Sequence, residues 1–366
     1  MVPILINNVL HISNAKYYIE NFPWILNNKT LLGKNFKLLK YSQPQIVGSI
    51  RKMDDCFFPE FDYKELAKRR HLYLFTFKNT FATSTGAFIK NGHFYFISHN
   101  CKSLAHKNYF QLSSQKDYSL PFKSYDIVVS LTHDNFGTFG HWLSEIYPEM
   151  FLLPKHVIQN GYIICKEAHP FHIEGYELIG FSRDRILSGP NLTVFGKTVY
   201  TFSCQTCMHL NPLAISFAKQ EIIRILNLPK IEPDKFVLFN RLDSRRLANF
   251  DEIVHAVMTK YPHLNWIIKS HNNGTLTEQI RYWHTVKFIF GTHSSALFGC
   301  LFMQPNSIVA AVEWCRCFHS LEHLAVWSGL YFVHLREPEM TTNPYRIDLQ
   351  LCVDLIETAL KFGKVI

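Results

Sequence analysis

Long apolar runs are missing from this chain. No stretch of its 366 residues offers the ~20 consecutive apolar positions that a helix needs to cross a bilayer. The opening segment MVPILINNVLHISNAKYYIENF starts apolar, but Asn7, Asn8 and His11 break it and no basic residues precede it. Neither a signal peptide nor a membrane anchor is expected there. The commoner nucleotide motifs are absent too. There is no GxGxxG and no GxxxxGKS/T, which argues against a dinucleotide dehydrogenase and a P-loop NTPase. No GxSxG elbow is present, which argues against the α/β-hydrolase type of nucleophile. Cys204 and Cys207 form one CxxC without a second pair at zinc spacing, so no metal site is expected. Long basic runs are lacking, and nucleic acid is not an expected partner. Repeats of fixed period and low-complexity segments are also absent.

The residues that are there describe a globular chain. Hydrophobic residues make up 47% and charged residues 18%, which sets the sequence apart from disordered chains. Its length suits two domains better than one core. The formal charge of +9 favours phosphates and other anions without selecting among them. Nine cysteines at irregular spacing read as buried thiols. Sequons at Asn28, Asn191 and Asn273 permit a secretory lumen, so the compartment stays open between cytoplasm and ER or Golgi lumen.

Two patterns divide the chain. The first half carries short strand-like runs: HLYLFTF, AFIKNGHFYFIS with a turn at Gly92, DIVVSLT, GYIIC and NLTVFG. Between them a glycine-spaced loop, 135–140, leads into the helix HWLSEIYPEMFLL, which Pro148 and Pro154 should disturb. After Phe217 strands and amphipathic helices alternate: FVLFN, NFDEIVHAVMTKY, NWIIKS, TLTEQIRYWHTV, KFIFG, SIVAAVEW, HSLEHLAVWSGL and YFVHL. Apolar strands that alternate with helices predict a parallel sheet covered on both faces. The expected division is an α/β acceptor-side domain over 1–215, a doubly wound domain over 216–345, and a terminal helix over 346–366 that packs back on the first domain.

Three clusters fall at predicted strand ends, where doubly wound sheets hold ligands. After DIVVSLT come Asp134, His141 and Glu145. His141 and Glu145 are four residues apart and share a helical face, a spacing suited to an imidazole oriented by a carboxylate. After FVLF come Arg241, Arg245, Arg246 and Asn249. Guanidinium forks match phosphate oxygens, so this turn reads as an anion clamp. After KFIFGT come His293, Ser294 and Ser295, at the start of a short helix whose free N–H groups suit an anion. Glu313 ends the next strand, where a carboxylate commonly takes ribose hydroxyls. Together the last two clusters suit a nucleotide diphosphate.

FGHWLSEIYPEM, NRLDSRRLANFDEI and GTHSSALFGCLFMQPNSIVAAVEW, in that order, resemble glycosyltransferase family 61 over roughly residues 125–335. The resemblance implies a GT-B-like α/β fold, two Rossmann-like domains facing across a cleft. It implies inverting transfer from a UDP-sugar, of the UDP-GlcNAc or UDP-xylose kind, to a hydroxyl of a protein or glycan. It assigns Arg241, Arg245 or Arg246, Asn249, His293 with Ser294 and Ser295, and Glu313 to the donor. His141 goes to the acceptor side as the base, with Glu145 or Asp134 as orienter or substitute. No DxD is present, and arginine would neutralise the leaving diphosphate without an obligatory cofactor. Where the family has His-Gly-Ala this chain has His293-Ser294-Ser295. That departure keeps a second reading open, a catalytically weak relative that binds glycan or protein.

Overall fold

The computed structural model describes residues 73–84, 86–90, 93–96, 123–132, 136–190, 192–202, 210–242, 244–271, 274–314, 320–337 and 344–366, with two short strands before them. Asp134, Asn135, Gly92, the CxxC pair and the three sequon asparagines lie outside these residues. The chain divides into two compact units, residues 1–39 with 64–218 and residues 40–63 with 219–366.

The strands, in chain order, are β1 (Val9–His11), β2 (Ile46–Val47), β3 (Tyr73–Thr83), β4 (Ala87–Lys90), β5 (His93–Phe96), β6 (Ser124–Ser130), β7 (Tyr162–Cys165), β8 (Ile186–Ser188), β9 (Thr193–Phe202), β10 (Lys235–Phe239), β11 (Asn265–Lys269), β12 (Val286–Thr292), β13 (Ile308–Trp314) and β14 (Tyr331–Glu337). The helices are α1 (Phe139–His141), α2 (Tyr147–Met150), α3 (Lys155–Asn160), α4 (Pro170–Ile179), α5 (Pro212–Ile225), α6 (Phe250–Lys260), α7 (Leu276–His284), α8 (Ser320–Trp327) and α9 (Leu349–Phe362). A π turn, Trp142–Ile146, joins α1 to α2, and a 3-10 helix spans Ser295–Phe302.

The first unit has a mixed sheet in the order β5-β4-β3-β9-β6-β7-β8, with β1 beside β3. Strands β9, β6, β7 and β8 run parallel, and β3 is antiparallel to β9. Phe77, Phe88, Val128, Ile164, Val194 and Val199 form its core. The expected hairpin is present, Lys90 pairing His93. The expected helix after the glycine loop runs to Met150, and Pro148 does not end it. Proline has no N–H to give and crowds the carbonyl four residues back. The π turn just before it widens the ladder there, and Pro148 falls in the first turn of α2.

The second unit has a sheet in the order β11-β10-β12-β13-β14-β2, parallel throughout. Its central strands are apolar on both faces along most of their length, because helices cover both faces. Phe236, Leu238, Phe288, Phe290, Ile308, Ala310, Val312, Val333 and Leu335 meet residues of α6 and α9 on one face. The terminal helix was expected to pack back on the first domain. It lies instead on the second unit's own sheet, because Cys352, Leu355, Ile356, Ala359 and Leu360 make an apolar stripe that buries in this core. On the other face lie α7, the 3-10 helix and α8. Gly299 lets the 3-10 helix approach α7, since a Cβ there would stand 2.2 Å from the Trp283 indole nitrogen. Caps start these helices: Thr275 accepts the Glu278 N–H at 3.2 Å while Glu278 accepts the Thr275 N–H at 2.8 Å.

The path of the chain sets where a ligand can sit. From β10 it steps outward to β11, then returns to the far side of β10 as β12 and continues through β13 to β14. The direction therefore reverses between β10 and β12. In a doubly wound sheet that crevice, at the carboxyl ends of the strands, is the ligand position.

Candidate active site

Phe239, Gly291 and Ala311 form one row across β10, β12 and β13, with His334 of β14 beside Ala311. Neighbouring strands lie ~4.8 Å apart. Asn240 and Arg241 thus leave the sheet next to Thr292 and His293, on the two sides of the reversal. Asn240 shapes the turn that follows. Its Oδ1 accepts the Leu247 N–H at 2.9 Å and its Nδ2 donates to the Leu247 carbonyl at 3.0 Å. Tyr345 holds the same turn from outside: its N–H donates to the Arg246 carbonyl and its own carbonyl accepts the Ala248 N–H. Within the turn Arg241 donates to the Ser244 hydroxyl at 3.1 Å. Arg245 takes φ 61°, a left-handed backbone that non-glycine residues adopt at a cost. Arg241 and Arg245 are half-buried and Arg246 is exposed.

Asn249 has another task in this structure. Its Nδ2 donates to the Ile347 carbonyl at 2.8 Å and its Oδ1 accepts the Ile347 N–H at 3.2 Å. Both amide atoms are spent on joining the start of α6 to the 344–348 segment, and the residue is buried.

On the β12 side Ser294 caps the 3-10 helix with extended backbone and makes no side-chain capping bond. It is 2% exposed, and its hydroxyl oxygen and that of buried Thr292 have no hydrogen-bond partner among the described residues. A buried hydroxyl without a partner costs ~1–3 kcal/mol. Ser295 follows, half-buried, as the first helical residue.

His293 and Glu313 meet at this edge. The His293 Nδ1–H faces Glu313 Oε1 at 3.4 Å, and the His334 Nδ1–H faces Oε2 at 3.3 Å. Glu313 is 2% exposed, His334 is buried, and His293 is the member that reaches the surface. Burial alone would push the Glu313 carboxyl up. Hydrogen bonds from His293 and His334 outweigh it and hold the carboxyl far below the usual carboxylate range. Among the described residues no group of three or more His, Cys, Asp or Glu side chains is arranged to hold a metal ion.

In the first unit the predicted pair is formed. The His141 Nδ1–H reaches Glu145 Oε1 at 2.8 Å, with side chains 22% and 7% exposed. Aromatic packing fixes the segment. Trp142 is wholly buried, with ring centroids 4.5 Å from Tyr147, 5.1 Å from His172 and 5.3 Å from Phe171. One turn further on, burial, and next the charge of Glu145, push the Glu149 carboxyl up.

Residues 139–310 match the model of a family described as Glycosyltransferase 61. The chain carries a glycosyltransferase family 61 domain. The match spans His141, Glu145, the arginine turn and His293 to Ser295, and it stops three residues before Glu313. No curated protein matches the chain. Among solved structures it is similar to the bacterial iron-containing dodecameric glycosyltransferase TibC from enterotoxigenic E. coli. The identity is 12%, over 68% of this chain and 78% of that one, with a TM-score of 0.32. A second structure, described as the dodecameric iron-containing heptosyltransferase TibC in complex with ADP-D-beta-D-heptose, is 9% identical. It covers 68% of this chain and 80% of that one, also at a TM-score of 0.32.

Two members of the second unit's polar framework are not singled out by the sequence. Asn240 heads NRLDSRRLANFDEI but has no role assigned to it there. His334, inside YFVHL, stood out as one polar residue in an apolar strand, and that was its only signal.

Proposed function

We propose that this glycosyltransferase inverts the anomeric carbon as it moves a sugar from a UDP-sugar, of the UDP-GlcNAc or UDP-xylose kind, to a hydroxyl of a protein or glycan. The division of labour is GT-B-like: the second unit holds the donor and the first supplies the acceptor side. One observation carries the donor half. At the reversal of a fully parallel sheet, the arginine turn and the Thr292–Ser295 segment leave adjacent strands, and that segment holds two buried hydroxyls without partners among the described residues. A diphosphate supplies acceptors for those hydroxyls and for guanidinium N–H groups.

In this reading Arg241 and Arg245 neutralise charge as the bond from the anomeric carbon to the diphosphate oxygen breaks, and no metal is obligatory. The acceptor oxygen bonds to the same carbon from the opposite face, and its proton passes to His141. Glu145 orients that imidazole, with Asp134 as the substitute carboxylate. Calorimetric titration with UDP tests the donor half. Arg241→Ala weakens binding, while His141→Ala preserves it and lowers transfer. No heat at millimolar UDP would overturn the reading. Ser294 and Ser295 in place of the family's Gly-Ala favour the second reading, a glycan- or protein-binding relative. UDP binding without UDP release from any of UDP-GlcNAc, UDP-xylose or UDP-glucose, with acceptors supplied, would shift the assignment to it.

A further inference from the structure

His334 lies outside the matched span and outside the three strand-end clusters, yet it is built into the donor edge. Ala311 pairs with His334 in register and Glu313 with Arg336, so Glu313 and His334 belong to the same face of the sheet, one row apart. The Glu313 carboxylate spans that row to place Oε2 3.3 Å from His334 Nδ1. Phe332, two residues earlier on β14, sets its ring edge-on to His334 with centroids 5.5 Å apart. On the other side, Phe298 of the 3-10 helix stands edge-on to His293 at 5.9 Å. The three polar groups form a line from the buried strand β14 to the surface: His334, Glu313, His293.

Packing alone does not call for this line. A histidine buried in an apolar strand costs more than a leucine unless its ring nitrogen is paired. A buried carboxylate costs more still unless both oxygens are engaged. Each residue supplies what the next one needs. The two N–O distances, 3.3 and 3.4 Å, are at the long end for hydrogen bonds.

We infer that His334 is a positioning residue: it holds Oε2 of Glu313 so that Oε1 engages the His293 Nδ1–H, which leaves the unprotonated His293 Nε2 to accept from a hydroxyl of the donor. What Nε2 meets rests on the donor-site reading above; the line of three residues does not. The line also gives Glu313 a role besides the ribose contact expected at a strand end, one partner on each oxygen.

Three substitutions separate positioning from packing. His334→Asn places an amide N–H close to where Nδ1 stood, His334→Gln moves the donor outward by one bond at similar polarity, and His334→Leu removes it. Long-range proton–nitrogen correlation spectra of histidine-labelled protein, with His293 assigned through His293→Asn, read its tautomer. Wild type and His334→Asn keep His293 in the single Nδ1–H form; His334→Gln and His334→Leu lose it. For UDP released from UDP-GlcNAc, His334→Gln lowers kcat about tenfold with little change in KM, and His334→Asn restores most of it. If His334→Leu fails to fold, the Asn and Gln pair still decides. Equal behaviour of Asn and Gln, or an unchanged His293 tautomer in His334→Gln, overturns the inference. If wild type releases no UDP and binds none, the donor reading falls, and the tautomer comparison still decides the role of His334.

Discussion

The Asn240 side chain closes on both backbone atoms of Leu247, and this pair is the base of the arginine turn. Leu247 is buried, so its N–H and carbonyl have no water to fall back on. Asn240→Ala leaves both without the side-chain partner and should destabilise the second unit by about 1–3 kcal/mol. It also frees the turn that carries Arg241 to Arg246. UDP affinity therefore falls although Asn240 itself need not touch the nucleotide. Asn240→Asp keeps the acceptor and loses the donor, and should fall between. Urea unfolding and UDP calorimetry on the same samples check this. Lost stability with unchanged UDP affinity would separate the turn from the donor site.

The three arginines should not be equal. Arg241 and Arg245 are half-buried, and Arg245 holds a left-handed backbone that a free surface turn would abandon. Arg246 is exposed, and water screens its charge. Arg241→Ala and Arg245→Ala should each weaken UDP binding by about 10- to 100-fold, the range of a charge-assisted hydrogen bond. Arg246→Ala should change it by a few-fold and lose that effect at high salt. Titrations at two ionic strengths give the ranking, and equal losses for all three would count against a built clamp.

Much of this was readable in the residues, for definite reasons. Strands β10 to β14 are apolar runs separated by amphipathic helices, so type and order follow from periodicity. The His141–Glu145 contact follows from a spacing of four, which the π turn between them tolerates. Pairings across strands were not readable. His334 and Glu313 are 21 residues apart and meet only because β13 and β14 align Ala311 with His334. The resemblance assigns Asn249 to the donor, and its amide hydrogen-bonds Ile347, 98 residues away, a pairing that no local pattern shows. Three-residue β8 is too short to show a period. The π turn at Trp142–Ile146 has no periodic signature of its own.

Acid should weaken the fold through two groups. His172 donates from Nε2 to the Phe136 carbonyl at 3.2 Å and accepts the His169 N–H on Nδ1 at 3.0 Å, so the neutral ring is the bound form. Burial, aided by nearby His169 and opposed by the Phe136 bond, lowers its pKa from 6.5 to about 3. Across that window the unfolded chain holds a proton that the folded chain refuses, so stability falls as pH drops, by up to ~1.4 kcal/mol per unit. Glu313 is depressed as well: its contribution is present above the ordinary carboxylate value of 4.5 and is lost as pH falls below it. Glu149, with a raised pKa, tilts the other way above 4.5. The readout is therefore a difference. Urea unfolding from pH 7 to 4 should show a shallower slope for His172→Gln than for wild type, and Glu313→Gln should flatten the curve only below about pH 4.5. Identical slopes would mean that neither group is held as described.

Lys219 should give the opposite end of the pH range its shape. It is 7% exposed, and its Nζ donates to the Ser328 carbonyl at 2.6 Å, just past the end of α8. Burial lowers its pKa to about 7, against a smaller opposing effect of Cys300, whose thiol burial pushes up to about 12. Both groups are then largely uncharged in mildly alkaline solution. The unfolded chain keeps the lysine proton up to its ordinary 10.5, while the folded chain gives it up near 7. Between those values the unfolded state binds more protons, so stability rises with pH. Lys219→Met removes the buried amine and leaves the Ser328 carbonyl unpaired, a loss of about 1–3 kcal/mol. Below pH 7 the loss of a buried ammonium offsets that cost, so the variant should match or exceed wild type. By pH 9.5 wild type should be the more stable of the two. Thermal unfolding of both proteins from pH 6 to 9.5 draws the two curves, and a crossing is the expected result. Parallel curves would put the ammonium in contact with water and refute its place beneath α8.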